Sequence, residues 1–254
     1  MRTQSRVELS VDTLYRLLKQ ENLGDPHPLF TGGERYYSPR FKQESDAQFH
    51  RELDRAGLST PQGVAEDFLD LLAVIQRGAV EYYGWLQDTE GPYSVLVAAS
   101  GRSAALAQRV DEVVTFEWID ASRALEAFVF RLPNVAAARG EAISVRSADY
   151  GKPVRRDVGG FSMSDPHYAT PQEARRLAAL MKAPRVGGGK LYTAKRDHRG
   201  KRTRAKDWIS FIDLADGRWA LYTTEGRGEK SINAVPGTPQ LIARRLSELH
   251  ASIG

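Results

Sequence analysis

The chain has 254 residues, of which 41% are hydrophobic and 27% are charged, a composition typical of a folded globular protein. It contains no cysteine, which excludes disulfides, zinc–thiolate sites and iron–sulfur clusters and fits a reducing compartment. The 36 Lys and Arg residues nearly balance the 32 Asp and Glu residues, giving a net charge of +4. No stretch has the apolar length of a signal peptide core or a membrane span, so we expect a cytoplasmic protein without membrane insertion.

Apolar residues at helical spacing, each set preceded by an N-cap residue or a breaker, predict three helices in the first third of the chain. These helices cover about residues 11–24, 41–56 and 60–75. The third is predicted to begin at Thr60-Pro61, because Thr at the N-cap and Pro at the first helical position are a common start signal. Residues 25–30 contain two prolines and are predicted to be non-helical.

After Gly78 the pattern changes to short aromatic and β-branched runs, which predict four strands separated by tight turns. The strands cover residues 80–86, 93–99, 104–110 and 113–119. Connections this short allow only antiparallel pairing. Asp120 then caps a further helix, which is predicted to end at Leu132-Pro133.

The same order of elements returns in the second half of the chain. A helix opens at Thr170-Pro171, four strands follow at 190–196, 208–213, 218–223 and 230–235, and Thr238-Pro239 opens the last helix. We therefore predict an α+β fold with a central antiparallel sheet and pseudo-twofold duplicated halves, as one domain over 1–254. The repeats cover about 61–132 and 170–250, joined by a polar connector at about 151–164; chance recurrence of a common meander is the alternative.

No arrangement of residues predicts catalysis. Gly101-Arg102-Ser103 only half matches a nucleophile elbow, because no helix follows it, and is interpreted as a turn. The glycines 187–189 before Lys190 lead into a strand, not a helix, which argues against a phosphate loop and favours a flexible link. The five histidines lie in separate regions without metal-ligand spacing. We predict no enzyme activity, no metal and no cofactor.

Positive charge is concentrated in residues 190–206, and Asp197 is the only acidic residue in this range. Nucleic-acid binding by this hairpin is an alternative function, because each neutralised phosphate favours association. A solvated hairpin tip, or a docking edge for an acidic protein, is favoured instead, because the segment lacks aromatic residues interleaved for base stacking. Nucleic acid is therefore not an expected partner.

Aromatic residues follow one face of two predicted strands. Tyr83 and Trp85 alternate on the first of them, and Phe116 and Trp118 alternate on a later one. Core packing explains any one of them, but an open sheet face rich in aromatic rings is also a suitable partner platform.

Several segments, in order along the chain, resemble EspG, the ESX secretion-associated proteins of actinobacterial type VII secretion. In the second half they include Thr170-Pro171-Gln172-Glu173, 183–192, Arg196-Asp197-His198-Arg199-Gly200 and 212–219. In the first half they are 7–10, 28–29, 34–35, 53–58 and 132–133.

The resemblance implies a non-catalytic cytosolic chaperone that binds the helical tip of secreted PE-PPE heterodimers and remains behind when they are exported. It also implies a contact surface made of a loop, a sheet face and the last helix. The positions that match are Gln87, Asp88, Thr89, Glu90 and Tyr93 for the loop, Tyr83, Trp85 and Trp118 for the face, and Arg245 and Leu249 for the helix. Because the loop at 87–92 is short, a PPE-like or WXG100-like helical protein is also a candidate client.

Overall fold

The computed structural model describes residues 6–31, 39–150, 171–226 and 228–254. The predicted connector at 151–164 and the cap residue Thr170 lie outside these ranges. Six α-helices are described: α1 Val11–Gln20, α2 Pro39–Arg55, α3 Glu66–Arg77, α4 Ala124–Phe130, α5 Pro171–Lys182 and α6 Pro239–Ala251.

The strands form one large antiparallel sheet and a separate two-stranded hairpin. The hairpin pairs β2 Ser59–Thr60 with β3 Gly63–Val64. The sheet contains β1 Val7–Ser10, β4 Val80–Gln87, β5 Pro92–Ser100, β6 Ser103–Val110, β7 Val113–Asp120, β8 Ile143–Arg146, β9 Gly187–Arg196, β10 Arg202–Arg204, β11 Ile209–Leu214, β12 Gly217–Gly226 and β13 Glu229–Pro236. Its order is β1-β7-β6-β5-β4-β9-β11-β12-β13-β8, with β10 also paired to β9.

The predicted α+β fold with a central antiparallel sheet is confirmed. Strands β4–β7 form the first meander, strands β9 and β11–β13 belong to the second, and the two meet where β4 pairs with β9 from Val80↔Lys195 to Gln87↔Gly188. This order is the one that two similar halves sharing a sheet would give. Duplication and the single-domain boundaries stay predictions.

Helices cover parts of both faces of the sheet. On the face that we call the first face, α1, α2 and α3 pack against the first meander around Leu72, Leu96 and Phe116. Helix α5 packs at the far end of that face, where Leu177 joins a cluster with strands β8, β12 and β13. On the opposite, second face, α4 and α6 pack together over both meanders. The centre of the first face lies between the two groups of helices.

Polar caps hold the first helices in place. The Ser10 side chain accepts a hydrogen bond from the Thr13 backbone N–H, as expected of an N-cap. Glu52 of α2 in turn accepts hydrogen bonds from the backbone and hydroxyl of Ser10 and from the Thr13 hydroxyl. One carboxylate therefore links the start of α1 to α2.

One predicted helix start and one predicted non-helical segment are wrong. Helix α3 begins at Glu66, not at Thr60, because Thr60 pairs in the β2–β3 hairpin and its hydroxyl donates to the Gly63 carbonyl. Residues Pro28–Phe30 form one turn of 3₁₀ helix, although 25–30 was predicted to be non-helical. The turn is possible because Pro28 stands at its first position, where a helix needs no N–H.

The glycines 187–189 were predicted to be a flexible link, and this prediction is also wrong, since they are the first residues of β9. The interpretation of Gly101 and Arg102 as a turn is confirmed, because β5 ends at Ser100 and β6 begins at Ser103. Among the described residues no three side chains form a metal-binding group, and no helix is long and apolar enough to cross a membrane.

Candidate protein-binding groove

A groove of about 750 Å³ lies on the first face, next to α5. Its floor is formed by β9, β11 and β12, where side chains at alternate positions point to this face. Trp85 of β4 and Trp208, which precedes β11, line one part of it, and Met181 of α5 lines another. Most of the exposed lining is apolar, as is common for ligand and partner sites.

The glycines at the start of β9 place no side chains over part of the groove floor. Gly188 is paired with Ile212 and therefore faces the groove. A Cβ on Gly188 would lie 2.9 Å from the Phe211 carbonyl oxygen, a backbone atom that cannot easily move. On the second face, a Cβ on Gly189 would come within 2.8 Å of both Leu86 and Phe211 side chains. The glycines thus allow the neighbouring strands to approach closely and leave the groove open.

Four aromatic rings form a connected group beside the groove. Tyr83 stacks on Tyr192 with ring centroids 5.4 Å apart, and Trp85 meets Tyr192 edge to face at 5.5 Å. Trp208 lies 6.3 Å from Tyr192. The tyrosines are buried or half-buried, whereas Trp85 and Trp208 remain 44% and 42% exposed. Two tryptophan rings therefore pack against this group and still contact water.

A buried ion cluster supports these rings from the side. Glu81 of β4 is fully buried, and its carboxylate lies 2.7 Å from Arg202 Nε and 3.3 Å from Arg196 Nη2. The Arg202 guanidinium in turn lies over the Tyr83 ring, 5.1 Å from its centroid. Arg202 therefore links the Glu81 carboxylate of the first meander to the β9–β10 hairpin of the second.

His27 completes the cluster, with its Nε2 3.5 Å from Glu81 Oε2. Burial lowers the pKa of His27, although the neighbouring carboxylate acts in the opposite direction. Burial alone would raise the pKa of Glu81, but the contacts with His27 and Arg202 outweigh it and hold this pKa below its usual value. At neutral pH the cluster therefore contains a charged Glu81 and an uncharged His27.

These contacts change the interpretation of the basic segment 190–206. Arg196 and Arg202 were expected to be solvated, yet both donate hydrogen bonds to the buried Glu81. Asp197 is also engaged within the protein, because its carboxylate accepts hydrogen bonds from the backbone N–H groups of Arg199 and Lys201 in the turn. Within the described ranges, none of these contacts favours the nucleic-acid alternative.

The sequence profile of the EspG family matches residues 10–248. The chain belongs to the EspG family. Its fold matches a solved structure titled as the Mycobacterium tuberculosis type VII secretion system chaperone EspG5 in complex with PE25-PPE41 dimer. The TM-score is 0.64 with 15% sequence identity, and the match covers 98% of this chain and 97% of that chain. The comparison with curated proteins finds no match.

The EspG resemblance implied ten contact positions, and three of them lie at or beside the groove. Trp85 and Gln87 line it, and Tyr83 lies buried beside it in the aromatic group. The loop residues Asp88, Thr89 and Glu90 form the tight turn after β4, in which Asp88 accepts the N–H groups of Glu90 and Gly91. Thr89 and Glu90 are exposed.

The other four positions lie elsewhere. Tyr93, Arg245 and Leu249 are on the second face, where the Tyr93 hydroxyl donates to the Arg131 carbonyl and burial raises its pKa. Arg245 donates to the Tyr222 hydroxyl at 2.9 Å and to Glu248. Trp118 shares the first face with Trp85 but lines a separate notch beside α3, and three strand pairings separate β7 from β4. These four positions do not line the groove, and the ten contact positions stay a prediction.

Sequence reasoning did not select Tyr192, Trp208 or Gly188 for the site. Tyr192 lies within the basic segment, and Trp208 was counted only as the start of a strand. The signal that could identify Tyr192 and Gly188 is the pairing of β4 with β9, which places Tyr192 opposite Tyr83 and Gly188 opposite Gln87. This pairing joins distant segments and is not visible in either one alone.

Proposed function

We propose that this EspG-family protein is a cytosolic, non-catalytic chaperone of a type VII secretion system. Its client is the apolar helical tip of a PE-PPE-like secreted protein, and the tip binds in the groove between Trp85 and Trp208. The observation that carries the proposal is the open apolar groove lined by two partly exposed tryptophans. The related EspG5 structure contains a PE25-PPE41 dimer, which makes a helical secreted client the natural class of partner.

The physical task of such a chaperone is to cover an apolar helix end until export. Exposed apolar tips associate with each other, and a partner that buries them shifts the client to the soluble state by mass action. Tryptophan is well suited to this contact, because its large ring loses little conformational entropy on binding and is enriched among residues that dominate interface energy. A WXG100-like helical hairpin is the second client class.

The experiment is coexpression with PE-PPE-like and WXG100-like proteins encoded by the same genome, followed by size exclusion. We expect one client class to comigrate with the wild-type chain. The double variant Trp85→Ala/Trp208→Ala should weaken this binding by about 30-fold or more, equivalent to about 2 kcal/mol for lost interface anchors.

Phe130→Ala is the matched control, because Phe130 is an 85% exposed aromatic residue at the end of α4, which packs on the second face. Phe130→Ala should unfold within about 0.5 kcal/mol of wild type, whereas the double variant loses two rings that are more than half buried, so circular dichroism checks that it is folded before binding is measured. Failure of every candidate client to comigrate, or an equal loss of binding in Phe130→Ala, would contradict the proposal.

A further inference from the structure

Beside the aromatic rings the groove carries cations that no carboxylate of the described residues neutralises. Lys190 is exposed on β9, lies opposite Trp85 on one side and Ser210 on the other, and lines the groove. Arg185 lines it near α5, and among the described residues its one hydrogen bond is a long one, 3.4 Å, to the Met181 carbonyl. Arg204 lies over the Tyr192 ring at 5.3 Å.

Other cations close to the groove are already used by the fold. Arg196 and Arg202 bind Glu81, and the Lys195 ammonium donates to the Ile253 carbonyl on the second face. Lys190 and Arg185 in the groove lining, and Arg204 beside it, have no acidic partner among the described residues.

The described residues place one carboxylate in the lining of the groove, and it is also engaged. Asp207 accepts a hydrogen bond from the Thr223 hydroxyl at 3.1 Å and lies 4.0 Å from the Lys230 ammonium. The unmatched charge of the groove is thus positive, beside an apolar floor.

We propose that the groove selects a client tip in which an Asp or Glu stands next to the apolar residues, and that Lys190, assisted by Arg185 and Arg204, determines this specificity. The inference rests on the proposed function and names the chemistry of the client. When an apolar tip fills the groove, it excludes water from Lys190, and an ammonium that loses water without a partner costs free energy. An acidic side chain on the tip restores the lost interaction, whereas a basic one adds repulsion.

The test uses disulfide-linked helix–turn–helix peptides with two leucines at the turn, flanked by Glu, by Gln or by Lys. Each fluorescent peptide is titrated into the full chain and binding is followed by anisotropy. The Glu peptide should bind about tenfold more tightly than the Lys peptide, and the difference should decrease in high salt. Lys190→Glu should reverse this order, whereas Lys201→Glu, the same charge change at the exposed hairpin turn, should keep it.

The outcomes separate this inference from the proposed function. Equal binding of all three peptides, lost in Trp85→Ala/Trp208→Ala, contradicts the charge selection and leaves the proposed function intact. No binding of any peptide to the wild-type chain contradicts both. A single-stranded DNA oligonucleotide that displaces the Glu peptide at equal concentration would show that the cations recognise any polyanion, and would also overturn the inference.

Discussion

Replacement of Glu81 by Gln is expected to destabilise the junction between the two meanders. Glu81 is fully buried in β4, and the two guanidinium groups that it neutralises, Arg196 and Arg202, are only 20% and 25% exposed. Loss of one partner from a buried ion pair typically costs about 3–5 kcal/mol, because the remaining charge is left without compensation. The water that still reaches both arginines, and the acceptor oxygen that Gln retains, place this case near the lower end, at about 3 kcal/mol.

Urea unfolding at pH 7, followed by circular dichroism, measures this loss. For a chain of this length the same change corresponds to a decrease in Tm of about 6–12 °C. Glu90→Gln is the control, since Glu90 is an exposed acid in the turn after the same strand, and its replacement should change the unfolding free energy by less than about 0.5 kcal/mol.

A second substitution tests the electrostatic cause. Addition of Arg202→Met to Glu81→Gln removes one of the uncompensated charges, so part of the stability should return. A loss below about 1 kcal/mol for Glu81→Gln, or a further full loss in the double variant, would refute the reasoning.

Two further predictions concern His27 and Gly188. Burial lowers the pKa of His27, so below the ordinary value of about 6.5 the unfolded chain binds a proton that the folded chain does not. Stability should therefore decrease as the pH falls from about 6.5 towards 5. In urea unfolding at several pH values, His27→Gln should make the unfolding free energy depend less steeply on pH. The dependence that remains should include the contribution of His250, whose pKa is also lowered by burial. Gly188→Ala should lower stability by about 1–3 kcal/mol in thermal unfolding, because its Cβ meets a backbone oxygen. Gly226→Ala, where a Cβ meets nothing within 4 Å, should not; equal effects of the two would contradict the packing argument.

Much of the fold could be predicted because its signals are local. Alternating apolar residues and tight turns placed all four strands of the first meander, and Thr238 caps the last helix as expected. The helix start predicted at Thr60-Pro61 was wrong, because a Thr before a Pro suits a hairpin turn as well as a helix start. Tertiary contacts decide between the two.

The site was less accessible to sequence reasoning. Trp85 could be selected from its own strand, but the groove exists only because β9 pairs with β4, and local patterns do not specify the register between distant strands. For the same reason the glycines 187–189 resembled a link, although their missing side chains are what allow neighbouring strands to approach in the sheet.

The pairing of β4 with β9 also has a consequence during synthesis of the chain. The first meander is complete once residue 120 has left the ribosome, but its β4 edge stays unpaired until β9, which ends at Arg196, follows 76 residues later. At translation rates of about 5–20 residues per second, this edge of the completed meander is open for roughly 4–15 s. An open strand edge is a template for pairing with other chains. A protein that we propose protects others from association therefore passes through a nascent state in which it is itself exposed to it.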